Sequence, residues 1–320
     1  MHALGTFADG GSVFPGLVIE GERVLDLSPW FGSVREVLDR WDANEEQLVE
    51  LAAGGGAIEL GGLDVLPPFE PGQILQSGAN YKKHVVELAV DLRIAPEPGM
   101  TLDEIRAHAI RMMDERASGD PYLFLGAHSA ICGPYDDVLL PEQGEQHDWE
   151  LELAAVIGRS GRDVAVEAAL DHVAGYTIAN DLTTRDLVFR PDLKAIGTDW
   201  VRSKNAPTFL PLGPWIVPAR FVPDPMDVRI TLRLNGETMQ DESTADMIFD
   251  VARLVSYASS TVGLRAGDLL LTGSPAGNGT HYGRFLRDGD VMEAEITGLG
   301  RQRNVCRTIG RARQTGGRFG

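Results

Sequence analysis

The sequence predicts an α+β fold that is rich in strands, a mixed β-roll rather than a doubly wound parallel sheet. Many short apolar or alternating segments are separated by turn-forming residues, and only a few segments repeat at the helical period. The segment 66–72 holds three prolines, which remove backbone donors and favour a domain boundary. We therefore expect a small N-terminal α+β domain over residues 1–70 and a main domain over residues 71–310. Residues 311–320 have too little apolar surface to bury and are expected to form a flexible tail.

The N-terminal domain is expected to begin with strands and continue with two short helices. Residues 4–27 show a strand-like pattern, interrupted by the glycine-containing connection 20–22. A capping box at residues 33–36 predicts a helix to about Trp41. A second helix is predicted over residues 44–53.

The main domain shows four well-marked segments. Strands are predicted at residues 73–78 and 268–272. Residues 227–240 read as a hairpin whose Asn235-Gly236 pair favours a type I′ turn. An apolar stripe predicts a core helix over residues 245–262.

Composition narrows the class of protein. The chain has 320 residues, is 43% hydrophobic and carries a formal net charge of −18, so nucleic acid and anionic membrane surfaces would repel it. Cys132 and Cys306 do not form a CxxC motif and are too few for a disulfide scaffold. With no signal-peptide pattern and no long apolar run, we expect a soluble cytoplasmic protein.

Two glutamates in one predicted strand suggest a metal site. Residues 147–158 read as a strand, in which Glu150 and Glu152 point to the same face. A hard cation such as Mg²⁺, Mn²⁺ or Ca²⁺ would remove their mutual repulsion. The alternative is a solvated strand face. Asp181 ends another predicted strand and is the candidate third ligand.

Several motifs together resemble the fumarylacetoacetate hydrolase family, in particular its acylpyruvate-hydrolase-like branch. The resemblance spans about residues 73–307 and rests on SGANYKKHVVE (77–87), WELEL (149–153), ANDLTTRD (179–186), PLGPW (211–215), DMIF (246–249) and LTGSPAG (271–277). It implies the family's mixed β-roll, usually assembled as a homodimer. It also implies that Glu150, Glu152 and Asp181 are the metal ligands.

The resemblance assigns further roles. If the chain is helical from Lys82, His84 and Glu87 stack on one face, and the family uses such a pair as its general base; without the resemblance a surface pair would be expected. Lys204 precedes the PLGPW motif at the family's spacing, so the resemblance makes it the counterpart of the family's basic residue. Substrate-binding roles are implied for four residues: Ser129, Arg185, Gly273 and Ser274.

Three positions depart from the family pattern. Relatives often carry Lys-x-Pro-Ser where this chain has Gly126, Ala127 and His128 before Ser129, and often carry Gln where Val188 stands. A wall with less positive charge would suit a substrate whose distal end is uncharged.

Residues 88–120 are predicted to be an insertion. A Pro/Gly boundary at 96–99 and a capping box at 101–104 precede a helix that ends near residues 117–119. Its position after His84 suggests a lid over the site. A surface helix or a dimer contact is the alternative.

The expected reaction is hydrolytic C–C cleavage of a 2,4-dioxo acid, with release of pyruvate or a related 2-oxo acid. Decarboxylation of a β-keto acid such as oxaloacetate remains open, as does hydration or isomerisation of an unsaturated 2-oxo acid. A non-catalytic metal-stabilised binding protein is the alternative from another class.

Overall fold

The computed structural model describes residues 1–193 and 195–308, so the predicted tail at 311–320 lies outside the described residues. The strands are β1 (His2–Asp9), β2 (Ser12–Ile19), β3 (Arg23–Asp26), β4 (Ile58–Glu59), β5 (Asp64–Val65), β6 (Ile74–Ser77), β7 (Leu123–Leu125), β8 (Ile131–Cys132), β9 (Val138–Leu140), β10 (His147–Asp148), β11 (Leu151–Ile157), β12 (Val173–Asn180), β13 (Thr183–Thr184), β14 (Leu210–Pro211), β15 (Val217–Pro218), β16 (Arg229–Leu234), β17 (Glu237–Ser243), β18 (Leu269–Leu271), β19 (Val291–Ile296) and β20 (Gly300–Thr308). The α-helices are α1 (Val34–Leu38), α2 (Trp41–Ala53), α3 (Lys82–Asp91), α4 (Leu102–Arg116), α5 (Trp200–Lys204), α6 (Val251–Thr261) and α7 (Gly279–Tyr282).

The N-terminal part forms its own sheet. Its strand order is β4-β3-β2-β1-β5, and β1 pairs antiparallel with β2 from His2 opposite Ile19 to Asp9 opposite Ser12. The predicted cap of α1 is present, because the Ser33 side chain accepts a hydrogen bond from the Glu36 N–H. The second helix starts earlier than the sequence predicts, at Trp41.

The main part contains two large mixed sheets. The first has the order β15-β12-β11-β18-β6-β7, in which only β18 and β6 pair parallel. The second has the order β17-β16-β19-β20-β9, with a parallel pair at β20 and β9. This mixture of directions is a β-roll, so the predicted strand-rich α+β class is confirmed and a doubly wound sheet is excluded.

Strand β11 lies at the centre of the core and is buried on both faces. Ala154 belongs to an apolar cluster with Leu4 and Leu17 of the N-terminal sheet. Leu153, on the opposite face, belongs to a cluster with Ile230 of β16. The N-terminal part therefore shares its core with the six-stranded sheet, which fixes β11 and the residues at its ends.

Two predicted elements of the main part can be compared with the structure in detail. The hairpin turn has positive φ at both Asn235 and Gly236, as a type I′ turn requires. The helix predicted over residues 245–262 begins only at Val251, where Asp250 is its N-cap. The preceding residues form a 3₁₀ turn at Thr244–Asp246, and Asn80 accepts hydrogen bonds from the N–H groups of residues 248 and 249, which separates that turn from α6.

Helices α3 and α4 pack against each other. The capping box predicted at Thr101 is present, and the helix runs to Arg116. Two arginines fix its end: Arg116 donates to the Gly78 carbonyl oxygen at 3.0 Å, and Arg253 donates to that of Ala117 at 2.8 Å.

In the described part of the chain, no helix has the length and apolarity needed to cross a membrane.

Candidate active site

Three buried carboxylates meet where β11 begins and β12 ends. Because the two strands are antiparallel, with Leu151 opposite Asn180, Glu150 and Asp181 come together at this end of the sheet. One oxygen from each of Glu150, Glu152 and Asp181 lies within 4.8 Å of the others. All three residues are buried, with at most 7% of their surface exposed. The interpretation as a solvated strand face is therefore wrong.

The strand predicted over 147–158 is interrupted at Trp149 and Glu150. The Trp149 indole donates to the Gly277 carbonyl oxygen at 2.9 Å, and the Glu150 N–H donates to the Asn180 side chain at 3.0 Å. These bonds replace the strand ladder and hold Glu150 beside the end of β12.

Lys204 lies among the carboxylates. Its Nζ is 2.5 Å from Glu150 Oε2 and 2.5 Å from Asp181 Oδ2, and it also donates to Thr183 Oγ1 at 2.7 Å. Helix α5 presents this side chain, and Asp199 caps the helix. Burial alone would lower the pKa of Lys204, but the neighbouring carboxylates raise it, so the amine is charged.

Arg185 forms a second cationic contact. Its guanidinium donates to Asp148 Oδ2 at 2.8 Å and to Glu150 Oε1 at 2.7 Å. Asp148 in turn accepts from the Gly279 N–H at 2.6 Å. Arg185 is therefore paired with two carboxylates of the protein, and it holds Glu150 in position.

The three carboxylates titrate differently. Burial raises the pKa of Asp181 to about 6 and the pKa of Glu152 well above its ordinary range, with repulsion from neighbouring carboxylates adding to the effect. Burial would also raise the pKa of Glu150, but Arg185 and Lys204 outweigh it and hold that pKa below its ordinary value. The two cationic side chains thus leave the cluster short of positive charge, above all at Glu152.

This donor set fits a hard divalent cation. The ligand atoms are all carboxylate oxygens, they converge, and their neighbours are hydrogen-bond donors that hold them in place. Gln76 Nε2 donates to Asp181 Oδ1 at 2.7 Å, and the Gly273 N–H donates to Glu152 Oε2 at 2.7 Å.

His84 and Glu87 both lie on α3, as predicted, but the structure does not pair them. His84 lines the same cavity as Glu150 and makes no hydrogen bond to any described residue. Burial lowers the pKa of His84 to about 4; Glu150 opposes this shift, and Arg185 and Lys204 add to it. Glu87 points away, with Oε2 4.0 Å from His281 Nδ1. The predicted dyad is therefore not formed in this structure.

Two aromatic rings form a wall of the cavity. Phe124 and Trp200 stack with ring centroids 4.8 Å apart, and Lys204 Nζ lies 5.8 and 5.9 Å from these two centroids. The Trp200 indole donates to the Tyr122 hydroxyl at 2.8 Å. The rings lie within cation–π distance of the Lys204 ammonium and favour its charged form.

Only some of the predicted substrate-binding residues line the cavity. Arg185 and Ser274 line the cavity of about 150 Å³ with His84. The N–H of Gly273 is bonded to Glu152, so it is not free to bind an oxyanion as expected. Ser129 is exposed in a short 3₁₀ turn and does not line the cavity, because the turn leads directly into β8, which pairs with β14.

The positions that depart from the family pattern also lie outside this cavity. The ring of His128 is 2.8 Å from the Pro71 carbonyl oxygen and faces the N-terminal part, and Val188 is buried elsewhere. Gly126 packs against the side chain of Gln76, which in turn donates a hydrogen bond to Asp181. The expectation that these residues form the wall beside the substrate is therefore wrong.

Sequence reasoning missed Gln76, Thr183 and the Phe124–Trp200 pair. Gln76 lies near the end of β6 and Thr183 follows Asp181 by two residues, so both are polar residues close to a strand end, a signal that could have been followed. The aromatic pair joins β7 to α5, which are about 75 residues apart in sequence, and no local pattern indicates that contact.

Comparison with known proteins places the chain in a family. Residues 73–307 match the C-terminal region of fumarylacetoacetate (FAA) hydrolase, which confirms the family predicted from the motifs. The chain belongs to the fumarylacetoacetate hydrolase family.

Three relatives illustrate the range of the family. A 2,4-didehydro-3-deoxy-L-rhamnonate hydrolase of Sphingomonas sp. (strain SKA58) is 35% identical over 308 residues, covering 93% of both chains. A mitochondrial oxaloacetate tautomerase of Homo sapiens is 35% identical over 268 residues, covering 79% of this chain and 84% of that protein. A maleylpyruvate hydrolase of Sphingobium sp. SYK-6, solved with manganese(II) and pyruvate, has a TM-score of 0.73 and 26% identity, covering 96% of this chain and 99% of the other.

Proposed function

We propose that the protein is a divalent-metal-dependent hydrolase that cleaves a C–C bond in a 2,4-dioxo acid and releases pyruvate or a related 2-oxo acid. The observation that carries the proposal is that His84 lines one cavity with Glu150, Glu152 and Lys204. A neutral imidazole that can accept a proton from water and a carboxylate cluster suited to a cation are the two parts that such a hydrolysis needs.

The carboxylates would hold the cation, with Mg²⁺ as the first choice and Mn²⁺ or Ca²⁺ as alternatives. When bound, the cation would supply Lewis-acid stabilisation of negative charge on the 2-oxo acid. Lys204 would add positive charge next to the same oxygens, and Arg185 would keep Glu150 in place. The manganese(II) in the related maleylpyruvate hydrolase supports a divalent ion.

His84 would act on water. Its imidazole is neutral at neutral pH because burial lowers its pKa to about 4, so Nδ1 or Nε2 can accept a proton. The water oxygen bonds to C4 of the substrate while His84 takes its proton. The C3–C4 bond then breaks, and its electron pair passes to the enolate of the departing 2-oxo acid, which is later protonated at C3.

The distal end of the substrate is proposed to be uncharged and sugar-derived. Apolar residues, including Ala79, Val85 and Leu88, line the cavity on the side of α3, and no lysine or arginine from α3 lines it. The relative that matches 93% of this chain is named for a deoxy sugar acid, which supports the same substrate class.

Activity on oxaloacetate is the second candidate, because the human relative is named an oxaloacetate tautomerase. Tautomerisation would use the cation site and a base but no attacking water. Decarboxylation would generate the same type of enolate.

The predicted homodimer and the predicted cytoplasmic location remain proposals. The first rests on the family resemblance and the second on the composition.

A substrate panel tests the function. The purified protein with Mg²⁺ is given 5-hydroxy-2,4-dioxohexanoate, 2,4-dioxohexanoate, fumarylpyruvate and oxaloacetate, and pyruvate release is measured. We expect the highest kcat/KM for the first two acids. The highest kcat/KM for oxaloacetate would contradict the hydrolase assignment and favour decarboxylation, whereas enol–keto conversion of oxaloacetate without pyruvate release would favour tautomerisation.

A further inference from the structure

Ser77 is a buried residue with a hydroxyl group that has no partner. It is the last residue of β6 and is 5% exposed. Its Oγ makes no hydrogen bond to any described residue. Burying a hydroxyl without a partner is unfavourable, so such a group usually has a ligand or a water to bind.

The position of Ser77 distinguishes it from the other buried polar side chains without a partner. Seven described residues have such an atom: His2, Gln76, Ser77, Tyr81, Thr177, Asn278 and Gln302. Of these, only Ser77 lines the cavity that contains His84 and Lys204. The hydroxyl of Ser274 lines the same cavity but accepts a hydrogen bond from Gln240 Nε2 at 3.0 Å.

The surroundings of Ser77 indicate which part of a substrate it would contact. The metal-binding end of a 2-oxo acid would face the carboxylate cluster and Lys204, and Ser77 has no hydrogen bond to any of these groups. The wall of the cavity that Ser77 lines also contains Ala79, Val85 and Leu88, which are apolar. A neutral donor in this wall suits a hydroxyl group and offers no charge to a carboxylate.

We propose that Ser77 is a substrate-binding residue that selects a hydroxylated acyl chain, with its hydroxyl hydrogen-bonding the substrate hydroxyl next to the attacked carbonyl. The proposal rests on the proposed function, because that function places the distal chain on the side of α3. A site built to bond a hydroxyl discriminates against the analogue that lacks it, since its own polar group is then left unpaired.

Binding to an inactive protein tests the role of Ser77 independently of turnover. His84→Ala provides the background, and calorimetry with Mg²⁺ compares 5-hydroxy-2,4-dioxohexanoate with 2,4-dioxohexanoate. We expect His84→Ala to bind the hydroxylated acid about 10-fold more tightly, and Ser77→Ala in this background to reduce the preference to within about 2-fold. Oxalate, which mimics only the metal-chelating end of the substrate, should bind equally well to His84→Ala and to the double variant that also carries Ser77→Ala.

Thr177→Val is the matched control, because Thr177 also has a buried hydroxyl without a partner but does not line the cavity. Both substitutions should leave Tm unchanged or raise it, and only Ser77→Ala should change the preference. An unchanged preference would overturn the proposal, as would an equal loss of affinity for both acids or weaker oxalate binding. Failure of the wild-type protein to release pyruvate would instead contradict the proposed function.

Discussion

The carboxylate cluster and helix α3, which packs against α4, face the same cavity but are held in different ways. Every carboxylate of the cluster accepts a hydrogen bond from a residue distant in sequence, as Asp181 does from Gln76 and Glu152 from Gly273. His84, on the helix pair, makes no hydrogen bond to a described residue, and apolar residues such as Ile94 and Met112 are exposed there.

This difference separates two parts of the proposed chemistry. The sheet ends fix the groups that would hold a cation before any ligand binds, which is the arrangement a metal site needs. The base lies on an element with fewer fixed contacts, whose exact position can respond to substrate. Substitutions in the cluster should therefore remove ligand binding, whereas substitutions on the helices should change turnover.

The largest effect is expected for Glu152→Gln, which removes a ligand charge while keeping the shape of the side chain. Metal affinity should fall by more than about 100-fold, and turnover should fall with it. Calorimetry with Mg²⁺ and Mn²⁺ measures this. Glu59→Gln, at an exposed position, is the control; unchanged metal affinity in Glu152→Gln would remove Glu152 from the site.

The next effect concerns His84. His84→Ala should lower kcat by roughly 10²–10⁴-fold while metal affinity is retained, because the base does not hold the cation. Steady-state kinetics on the preferred substrate decides this. Near-normal turnover would exclude His84 as the base.

Glu87→Gln sharpens the same test. Because the structure shows no hydrogen bond between Glu87 and His84, kcat should fall by less than about 10-fold. A loss as large as that of His84→Ala would mean that the two side chains pair when substrate is bound, as the motif predicts.

Lys204→Met tests how the cluster is stabilised without a cation. Removing the buried ammonium leaves two carboxylates without their partner, so the metal-free variant should lose about 3–5 kcal/mol of stability. Added Mg²⁺ should raise its Tm more than that of the wild type, since the ion replaces the lost charge. Lys82→Met, which loses an exposed ion pair, is the control. Equal Mg²⁺ shifts in the two proteins would contradict this account.

The smallest effect is expected in the helix pair. Oxalate with Mg²⁺ should slow amide hydrogen exchange in residues 92–101 and the first half of α4, whereas β11 should not change. The far end of α4 is already fixed by Arg116 and Arg253. Equal exchange with and without oxalate would favour a surface helix or a dimer contact over a lid.

The sequence predicted the site residues best where strand geometry alone determines which side chains lie together. Alternation placed Glu150 and Glu152 together, and the end of a strand located Asp181, because both patterns follow from local backbone periodicity. The capping boxes at Ser33 and Thr101 also gave correct helix starts, since each cap is completed within four residues.

Features that depend on tertiary contacts were not predictable in the same way. The start of α6 is set by Asn80, about 170 residues away, and the N–H of Gly273 is bonded to Glu152. The orientation of Glu87 depends on the position of His281 in α7. Ser129 matched the family by position and His128 departed from it, but neither lines the cavity, because the 3₁₀ turn that carries both lies elsewhere.

The central claim is that the carboxylate cluster and His84 together direct water to a 2,4-dioxo acid. Incubating the protein and Mg²⁺ with 5-hydroxy-2,4-dioxohexanoate in ¹⁸O-labelled water, followed by mass spectrometry of the products, tests it most directly. The account predicts pyruvate and lactate in equal amounts, with ¹⁸O in the lactate carboxyl group, and no such products from His84→Ala on the same timescale. Unchanged substrate, or enol–keto exchange without cleavage, would contradict it.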